Sequence, residues 1–297
     1  MRRHLTFLQR ARFSTFHFNQ TKSNLNPNPT TLQVPKMAPL NAASEAAIAR
    51  LRNYVPPPTQ YDMLPLSRRA AVLILLFADA KGDLKVVVTM RAKTLSSYAG
   101  DAALPGGRAD FPTETAFQTA RREASEEIGL ADINQKLPPP FRVEHLCEMP
   151  TNLAKTELVV RPCVALLHGY DPQTGLSADP EESLIPILDA REVAAVFTAP
   201  LEGFLKSRLD GREDWYRVHQ FFVHQNDQIY RIFGMTARII VDAARVAYAR
   251  EPEFEHNSHF GDEEMIAKLR RMGRLSAVRK ASDELTRETM QKAAKLS

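Results

Sequence analysis

The chain of 297 residues is poor in cysteine, with only Cys147 and Cys163. Two cysteines cannot build a disulfide scaffold, and neither has a second Cys or a clustered His at the spacing of a zinc site. We therefore expect both to be buried free thiols. This excludes the disulfide-stabilised and zinc-binding classes of protein.

Long apolar runs are also missing. The longest, around residues 70–77 and 163–167, have the length of a strand and fall well short of the roughly 18 residues that cross a membrane. With 44% hydrophobic and 25% charged residues, the composition is typical of a soluble globular protein. We expect no membrane partner. The sequence does not indicate an oligomeric state.

Acidic residues are absent from the first 44 positions, which hold six basic ones: Arg2, Arg3, Arg10, Arg12, Lys22 and Lys36. Removing these six charges from the formal net charge of +4 leaves the rest of the chain at −2. The basic character therefore belongs to the N-terminal segment. We expect no nucleic-acid partner for the folded part.

The basic segment, MRRHLTFLQRARFSTFHF, alternates Arg with Leu and Phe and contains Ser and Thr. This composition is typical of an organellar presequence and lacks the long apolar centre of a secretory signal. We predict mitochondrial import, with a peroxisomal location or a plainly disordered N-terminus as alternatives. The polar, Pro-rich stretch Asn19–Pro39 then predicts a linker. We expect residues 1–40 to form the targeting segment and linker, 41–250 the main domain, and 251–297 a C-terminal helical extension or tail.

Strand and helix patterns alternate through the main domain. Helical spacing over Asn41–Asn53 precedes a hairpin over Ala70–Arg91 that turns at Lys81-Gly82, and later strand-like runs alternate with two further helix signals. These patterns predict an α/β fold with a mixed β-sheet. Because the sheet is mixed, the fold can also be classed as α+β.

A helix with readable ends follows a glycine-containing loop. Thr115 and Gln118 have the spacing of a capping box, and Gly129 stands where a left-handed C-terminal cap belongs. A buried stripe recurs every four residues, at Ala116, Ala120, Ala124 and Ile128.

On another face of this helix, Glu123, Glu126 and Glu127 crowd into five positions. Like charges at these spacings destabilise a helix by about 0.2–0.5 kcal/mol per pair. A divalent cation would relieve the repulsion, because carboxylates at i, i+3 and i+4 offer Mg²⁺ or Mn²⁺ the hard oxygen ligands that it prefers. The alternative is an ordinary solvated face.

The segment GGRADFPTETAFQTARREASEEIGL, Gly106 to Leu130, resembles the Nudix box, G-x5-E-x7-R-E-U-x-E-E-x-G-U with U aliphatic. The matching residues are Glu114, Arg122, Glu123, Ala124, Glu126, Glu127, Gly129 and Leu130. Six residues separate Gly107 from Glu114 instead of five, and a similar lengthening is a feature of the coenzyme A diphosphatases of this superfamily.

The upstream segment TMRAKTLSSYAGDAALPGG is similar to the signature of that subgroup, roughly T-x-R-[SA]-x3-R-x3-G-x3-F-P-G-G. It matches at Thr89, Arg91, Ala92, Gly100, Pro105, Gly106 and Gly107. It departs at Leu104, where phenylalanine is expected, and at Ser96, where an arginine that could grip a phosphate is expected.

The resemblance implies a Nudix-type α/β/α sandwich with a loop-helix-loop metal site, and residues 41–250 become the expected Nudix hydrolase domain. It implies Mg²⁺ or Mn²⁺ held by Glu126 and Glu127, with Glu123 as a third ligand or as the base that orients the attacking water. The carbonyl of Gly107 could complete the metal shell. Catalytic support would come from Arg122, paired with Glu114.

The same resemblance assigns the binding of the substrate phosphates to Arg91, Ser96, Gly100 and Gly106. The implied activity is hydrolysis of the pyrophosphate of coenzyme A or its thioesters, giving 3′,5′-ADP and 4′-phosphopantetheine or its acyl form. Two alternatives remain open: the same chemistry on ADP-ribose, NADH or a nucleoside triphosphate, and a non-catalytic nucleotide-binding module.

Overall fold

The computed structural model describes residues 39–94, 99–183, 193–206, 210–213, 216–225, 227–278 and 283–296. All of them belong to one structural unit, Pro35–Ser297. The predicted presequence, with Arg2 and its other basic residues, and Ser96 of the upstream signature lie outside the described residues.

A mixed β-sheet of eight strands forms the centre of the described part, and its main path runs β3-β2-β1-β7-β5. The strands of this sheet are β1 (Arg69–Ala78), β2 (Leu84–Arg91), β3 (Ala102–Ala103), β4 (Gly106–Arg108), β5 (Arg142–Glu148), β6 (Asn152–Leu153), β7 (Val159–His168) and β8 (Val193–Pro200). β1 runs antiparallel to β2 and parallel to β7. The predicted hairpin and mixed sheet are therefore confirmed.

A second sheet of three antiparallel strands has the order β11-β10-β9. Its strands are β9 (Asp210–Glu213), β10 (Tyr216–Gln225) and β11 (Gln228–Phe233). The helices are α1 (Ala42–Arg52), α2 (Ala116–Ile128), α3 (Pro180–Ser183), α4 (Gly234–Tyr248), α5 (Glu263–Arg271) and α6 (Arg287–Ala294).

Helices cover both faces of the central sheet. Alternate β1 side chains point to opposite faces, so Ile74 packs in a core cluster with residues of α1 and α4, whereas Leu73 packs in a second cluster with residues of α2, α5 and α6. This arrangement confirms the predicted α/β/α sandwich.

Strands β1 and β2 separate at one end, and this gap positions the loop of interest. They pair at Leu76↔Val86, but further along β1 pairs with β4 at Val72↔Gly106, and β2 pairs with β3 at Thr89↔Ala103. The chain between β2 and α2 thus adds two short strands, β3 and β4, to the sheet before it reaches α2.

Helix α2 begins and ends as predicted. Thr115 and Gln118 form a reciprocal capping box, and Gly129 ends the helix in the left-handed conformation. The predicted stripe of Ala116, Ala120, Ala124 and Ile128 is buried throughout. The helix can lie close to the sheet because three of these four residues are alanines.

The helices after residue 250 pack against the same core as α2. Ile266 and Leu269 of α5 are fully buried in the α2-side cluster. Buried ion pairs also connect the C-terminal region to the rest of the fold, since Arg68 contacts both Glu157 and Asp283. The side chain of Arg68 is 1% exposed and that of Glu157 is 0% exposed. The predicted division at residue 250 stays a prediction. Among the helices described, none is long and apolar enough to span a membrane.

Candidate active site

Two of the three clustered glutamates of α2 lie against the strand β4. Glu127 is buried, and its Oε2 accepts a hydrogen bond from the backbone N–H of Gly106 at 3.0 Å. Glu123 is largely buried against Gly107, whereas the side chain of Glu126 is 56% exposed. The acid face predicted from spacing is therefore divided into two anchored carboxylates and one in contact with solvent.

Arg122 connects these carboxylates to the preceding loop. Its Nε donates to Glu114 at 2.9 Å, and its Nη1 donates to Glu123 at 3.0 Å and to Glu126 at 3.4 Å. Its Nη2 donates to the carbonyl of Arg108 at 2.8 Å. One guanidinium thus joins α2 to both ends of the loop, and the expected pairing of Arg122 with Glu114 is present.

These contacts change the pKa values of the groups. Burial disfavours the charge of Glu114, but the hydrogen bonds from Arg122 and from the backbone of Asp110 outweigh it and lower the pKa of this carboxyl. Burial likewise opposes the charge of Arg122, yet Glu114 and Glu123 raise the pKa of its guanidinium. Glu123 differs, because burial and the nearby charges of Glu126 and Asp110 together raise its pKa more than Arg122 lowers it.

The two glycines of β4 allow α2 to approach this strand. A Cβ placed on Gly107 would lie 2.5 Å from the carboxylate of Glu123. Gly106 has a φ of +155° and faces the backbone of Ala71 and Val72 so closely that a Cβ would clash. Larger residues at either position would move the carboxylates away from the strand.

The residues present offer a divalent cation the right donor chemistry. Glu123, Glu126 and Glu127 supply only hard oxygen donors, and the bare backbone of Gly107 lies beside the Glu123 carboxylate. Across the described residues, however, no group of three or more His, Cys, Asp or Glu side chains has the arrangement of a metal site. Binding by this cluster therefore requires its carboxylates to move closer together than they are in this structure.

Of the predicted phosphate-binding residues, Arg91 ends β2, Gly100 lies in the loop before β3, and Gly106 begins β4. Backbone hydrogen bonds join Arg91 to Asp101 at 3.0 Å and Gly100 to Arg91 at 3.1 Å, and they close the loop between β2 and β3. Gly100 has a φ of +75°, which favours glycine there. The Nε of Arg91 is buried and makes no hydrogen bond within the described part of the chain. No contact seen there joins Arg91 to the glutamates, and Ser96 lies outside the described residues.

Two residues of this region had no role in the sequence prediction. Asp110 places Oδ2 at 3.4 Å from Nη1 of Arg122, and its N–H donates to Glu114 at 2.9 Å. Arg69 donates from Nη1 to the carbonyl of Pro112 at 3.3 Å. Asp110 belongs to the segment Gly106 to Leu130 that resembles the Nudix box, whereas nothing in the sequence signals the long-range contact of Arg69.

Comparison with known proteins identifies the class. The profile of the NUDIX domain matches residues 67–233, which is more than half of the chain. The chain therefore belongs to the Nudix hydrolase family, and the resemblance stated from its motifs is confirmed.

Several named proteins are similar to this chain in sequence. The chain is 37% identical over 209 residues to Nudix hydrolase 15, mitochondrial, of Arabidopsis thaliana, a match that covers 66% of this chain and 67% of the relative. It is 38% identical over 204 residues to Nudix hydrolase 22, chloroplastic, of the same plant, with 66% and 61% covered. It is 35% identical over 184 residues to Peroxisomal coenzyme A diphosphatase 1 of Saccharomyces cerevisiae, with 58% and 53% covered.

The chain thus spans between about half and two thirds of the length of these relatives. Among solved structures, a C. elegans Ap4A hydrolase complex is similar with a TM-score of 0.32 and 20% identity, covering 45% of this chain and 80% of that one. A likeness at that level carries no information about the substrate of this protein.

Proposed function

We propose that this protein hydrolyses the pyrophosphate bond of coenzyme A and its thioesters with the help of Mg²⁺ or Mn²⁺. The products are 3′,5′-ADP and 4′-phosphopantetheine or its acyl form. The observation that carries this proposal is the carboxylate cluster of Glu114, Glu123 and Glu126 around Arg122, with Glu127 anchored to the backbone of Gly106.

Each residue of the cluster has a proposed role. Glu126 and Glu127 hold the cation, and the carbonyl of Gly107 completes its ligands. The bound cation would neutralise charge on the diphosphate and lower the pKa of a coordinated water. Arg122 fixes the loop through Glu114, so that the donor groups keep their positions during turnover.

Glu123 has two candidate roles, as a third ligand or as the base that accepts a proton from the attacking water. Its contact with Arg122 limits the orientations that the carboxylate can adopt.

Four features support coenzyme A as the substrate. The loop from Gly107 to Glu114 is one residue longer than the general motif, and Thr89, Arg91, Gly100 and Pro105 match the subgroup signature. Relatives named as peroxisomal coenzyme A diphosphatases occur in yeast, worm and mouse. Arg91 supplies a cation at the end of β2.

The test is a metal-dependent screen of coenzyme A, acetyl-coenzyme A, oxidised coenzyme A and ADP-ribose, with the products identified. We expect release of 3′,5′-ADP that stops on chelation. Glu127→Gln should lower turnover at least about 100-fold while the fold is kept, because the amide oxygen still accepts from Gly106. Glu182→Gln, at an exposed glutamate of α3, serves as the control. Full activity of Glu127→Gln at saturating metal would contradict the proposal.

A second candidate keeps the chemistry and changes the substrate to ADP-ribose, NADH or a nucleoside triphosphate. Ser96 favours it, because a serine stands where the coenzyme A subgroup has an arginine. Release of AMP from ADP-ribose that is faster than release of 3′,5′-ADP from coenzyme A, at equal enzyme concentration, would select this candidate. A non-catalytic module is disfavoured, because every acid of the motif is retained.

We also propose that residues 1–40 direct the protein to mitochondria, that 41–250 form the catalytic domain, and that 251–297 extend it. Relatives named mitochondrial, chloroplastic and peroxisomal leave several organelles to be tested. Fluorescent tags placed separately at each end distinguish these locations. Loss of organellar import on deletion of residues 1–40 is the expected result. The proposed binding partner is a small nucleotide-type molecule. We propose neither a nucleic-acid partner nor a membrane partner.

A further inference from the structure

One exposed aromatic residue follows Asp110 in the loop that leads to the carboxylate cluster. Phe111 is 61% exposed, and it is the only aromatic residue among the large hydrophobic side chains exposed in the described part of the chain. It lies in the loop between β4 and α2, directly after Asp110. Since Asp110 contacts the same Nη1 of Arg122 as Glu123 and Glu126, Phe111 is one residue away from the cluster.

The backbone on either side of Phe111 is held in place. Its carbonyl accepts from the N–H of Glu114 at 3.1 Å, and the N–H of Asp110 donates to the Glu114 carboxylate at 2.9 Å. Arg69 donates to the carbonyl of Pro112 at 3.3 Å. The following proline further restricts the backbone of Phe111 to extended conformations. The ring is therefore exposed on a fixed loop.

Exposed hydrophobic residues are common singly, and exposure alone has no functional meaning. Two circumstances distinguish Phe111: the rigid backbone and the adjacent carboxylate cluster, at which we propose that the diphosphate is cleaved. A flat ring fixed in advance loses little conformational entropy when a second flat ring stacks on it. A nucleotide diphosphate bound at the cluster carries such a ring, its adenine.

We propose that Phe111 determines specificity by stacking on the adenine of the bound substrate. The proposal rests on the proposed function in requiring the adenine of coenzyme A, which its product 3′,5′-ADP also carries. The lengthened loop of the motif would then carry both Glu114 and the aromatic ring on which the adenine stacks.

The test measures binding of 3′,5′-ADP and, separately, of 4′-phosphopantetheine to the full chain by calorimetry. Phe111→Ala should weaken binding of 3′,5′-ADP roughly tenfold, the scale of one base–aromatic stack, and leave 4′-phosphopantetheine unchanged. Phe111→Tyr should keep the affinity, whereas Phe111→Leu, apolar without a π-face, should not. Met63→Ala, at a site equally exposed at 61%, is the matched control and should have no effect.

Two readouts separate stacking from a structural role. On binding to the wild type, the adenine H2 and H8 protons should shift upfield in the NMR spectrum, and Phe111→Ala should remove that shift. In turnover, KM should rise with kcat nearly constant.

Three results would overturn the proposal: no binding of 3′,5′-ADP to the wild type, equal binding by Phe111→Ala, or a loss confined to 4′-phosphopantetheine. The last would assign the ring to the pantetheine arm. A wild type that binds 3′,5′-ADP through Phe111 but hydrolyses none of the screened substrates would sink the proposed activity and leave the stacking intact.

Discussion

Gly107 lies directly against the carboxylate of Glu123, so closely that a Cβ at this glycine would fall 2.5 Å from that group. The contact joins β4 to α2 across the sheet edge. Because Gly107 does not have a positive φ, alanine suits its backbone, and the three atoms nearest to an added Cβ all belong to the Glu123 carboxylate.

Gly107→Ala should therefore displace Glu123 and leave the fold intact. We expect kcat/KM to fall by roughly 100-fold, since small misplacements of catalytic groups have effects of this size. Gly203→Ala is the matched control, because the nearest atom to its added Cβ would be 3.9 Å away. Unchanged activity in Gly107→Ala would show that the position of Glu123 is unimportant.

The pair Arg122 and Glu114 should be strongly coupled. In a double-mutant cycle of Arg122→Gln and Glu114→Gln, urea unfolding should give a coupling free energy of about 1.5–3 kcal/mol, the scale of a hydrogen bond to a charged group. Glu114 is only 8% exposed, which limits screening by solvent. The cycle of Arg250 and Glu202, each 45% exposed, should give about 0.2–1 kcal/mol. Equal values in the two cycles would refute the anchoring role of Arg122.

The buried contact between Arg68 and Glu157 should be essential to stability. Glu157→Gln removes the buried carboxylate that Arg68 and Arg274 share, and Asp283 alone still pairs with Arg68. This change should lower the free energy of unfolding by about 3–5 kcal/mol. The midpoint of thermal unfolding should fall by roughly 6–20 °C.

The control for that change is Glu284→Gln, since Glu284 pairs with Lys155 at an exposed site. Loss of this pair should lower the free energy of unfolding by less than about 1 kcal/mol. If Glu157→Gln also lowers the free energy of unfolding only slightly, the attraction within the buried pair merely offsets the cost of removing its charges from water.

Arg52 and Glu144 should give stability that depends on pH. The hydrogen bond from Arg52 lowers the pKa of Glu144 below its ordinary value of 4.5, against the opposing effect of burial. A carboxyl with a lowered folded pKa stabilises the fold above its unfolded pKa, and this stabilisation is lost as the pH falls through the folded pKa.

Arg52→Gln should thus lower the free energy of unfolding by about 0.5–1 kcal/mol at pH 7, a value reduced for the 48% exposure of Arg52. The difference from wild type should shrink as the pH is lowered below 4.5. Urea unfolding at about pH 7 and about pH 3 measures it. A difference that stays constant between these two pH values would rule out Glu144 as its source.

Much of the fold was predictable because it depends on local patterns. The helix predicted over Asn41–Asn53 is observed as Ala42–Arg52, with Asn41 and Asn53 as its caps. Short elements were missed, because β3 and β6 have only two residues each. Two-residue strands show no periodicity, because only their partners define them.

The amino-acid sequence by itself determined the caps of α2, its buried alanine stripe and the crowding of Glu123, Glu126 and Glu127, because each depends on residues within one or two helical turns. Only the tertiary structure decided which partners those carboxylates have. Arg122 reaches back to Asp110 and Arg108, Gly106 anchors Glu127 across 21 positions, and Arg68 meets Glu157 across 89. Such pairs depend on which strands become neighbours, and no local periodicity records that choice.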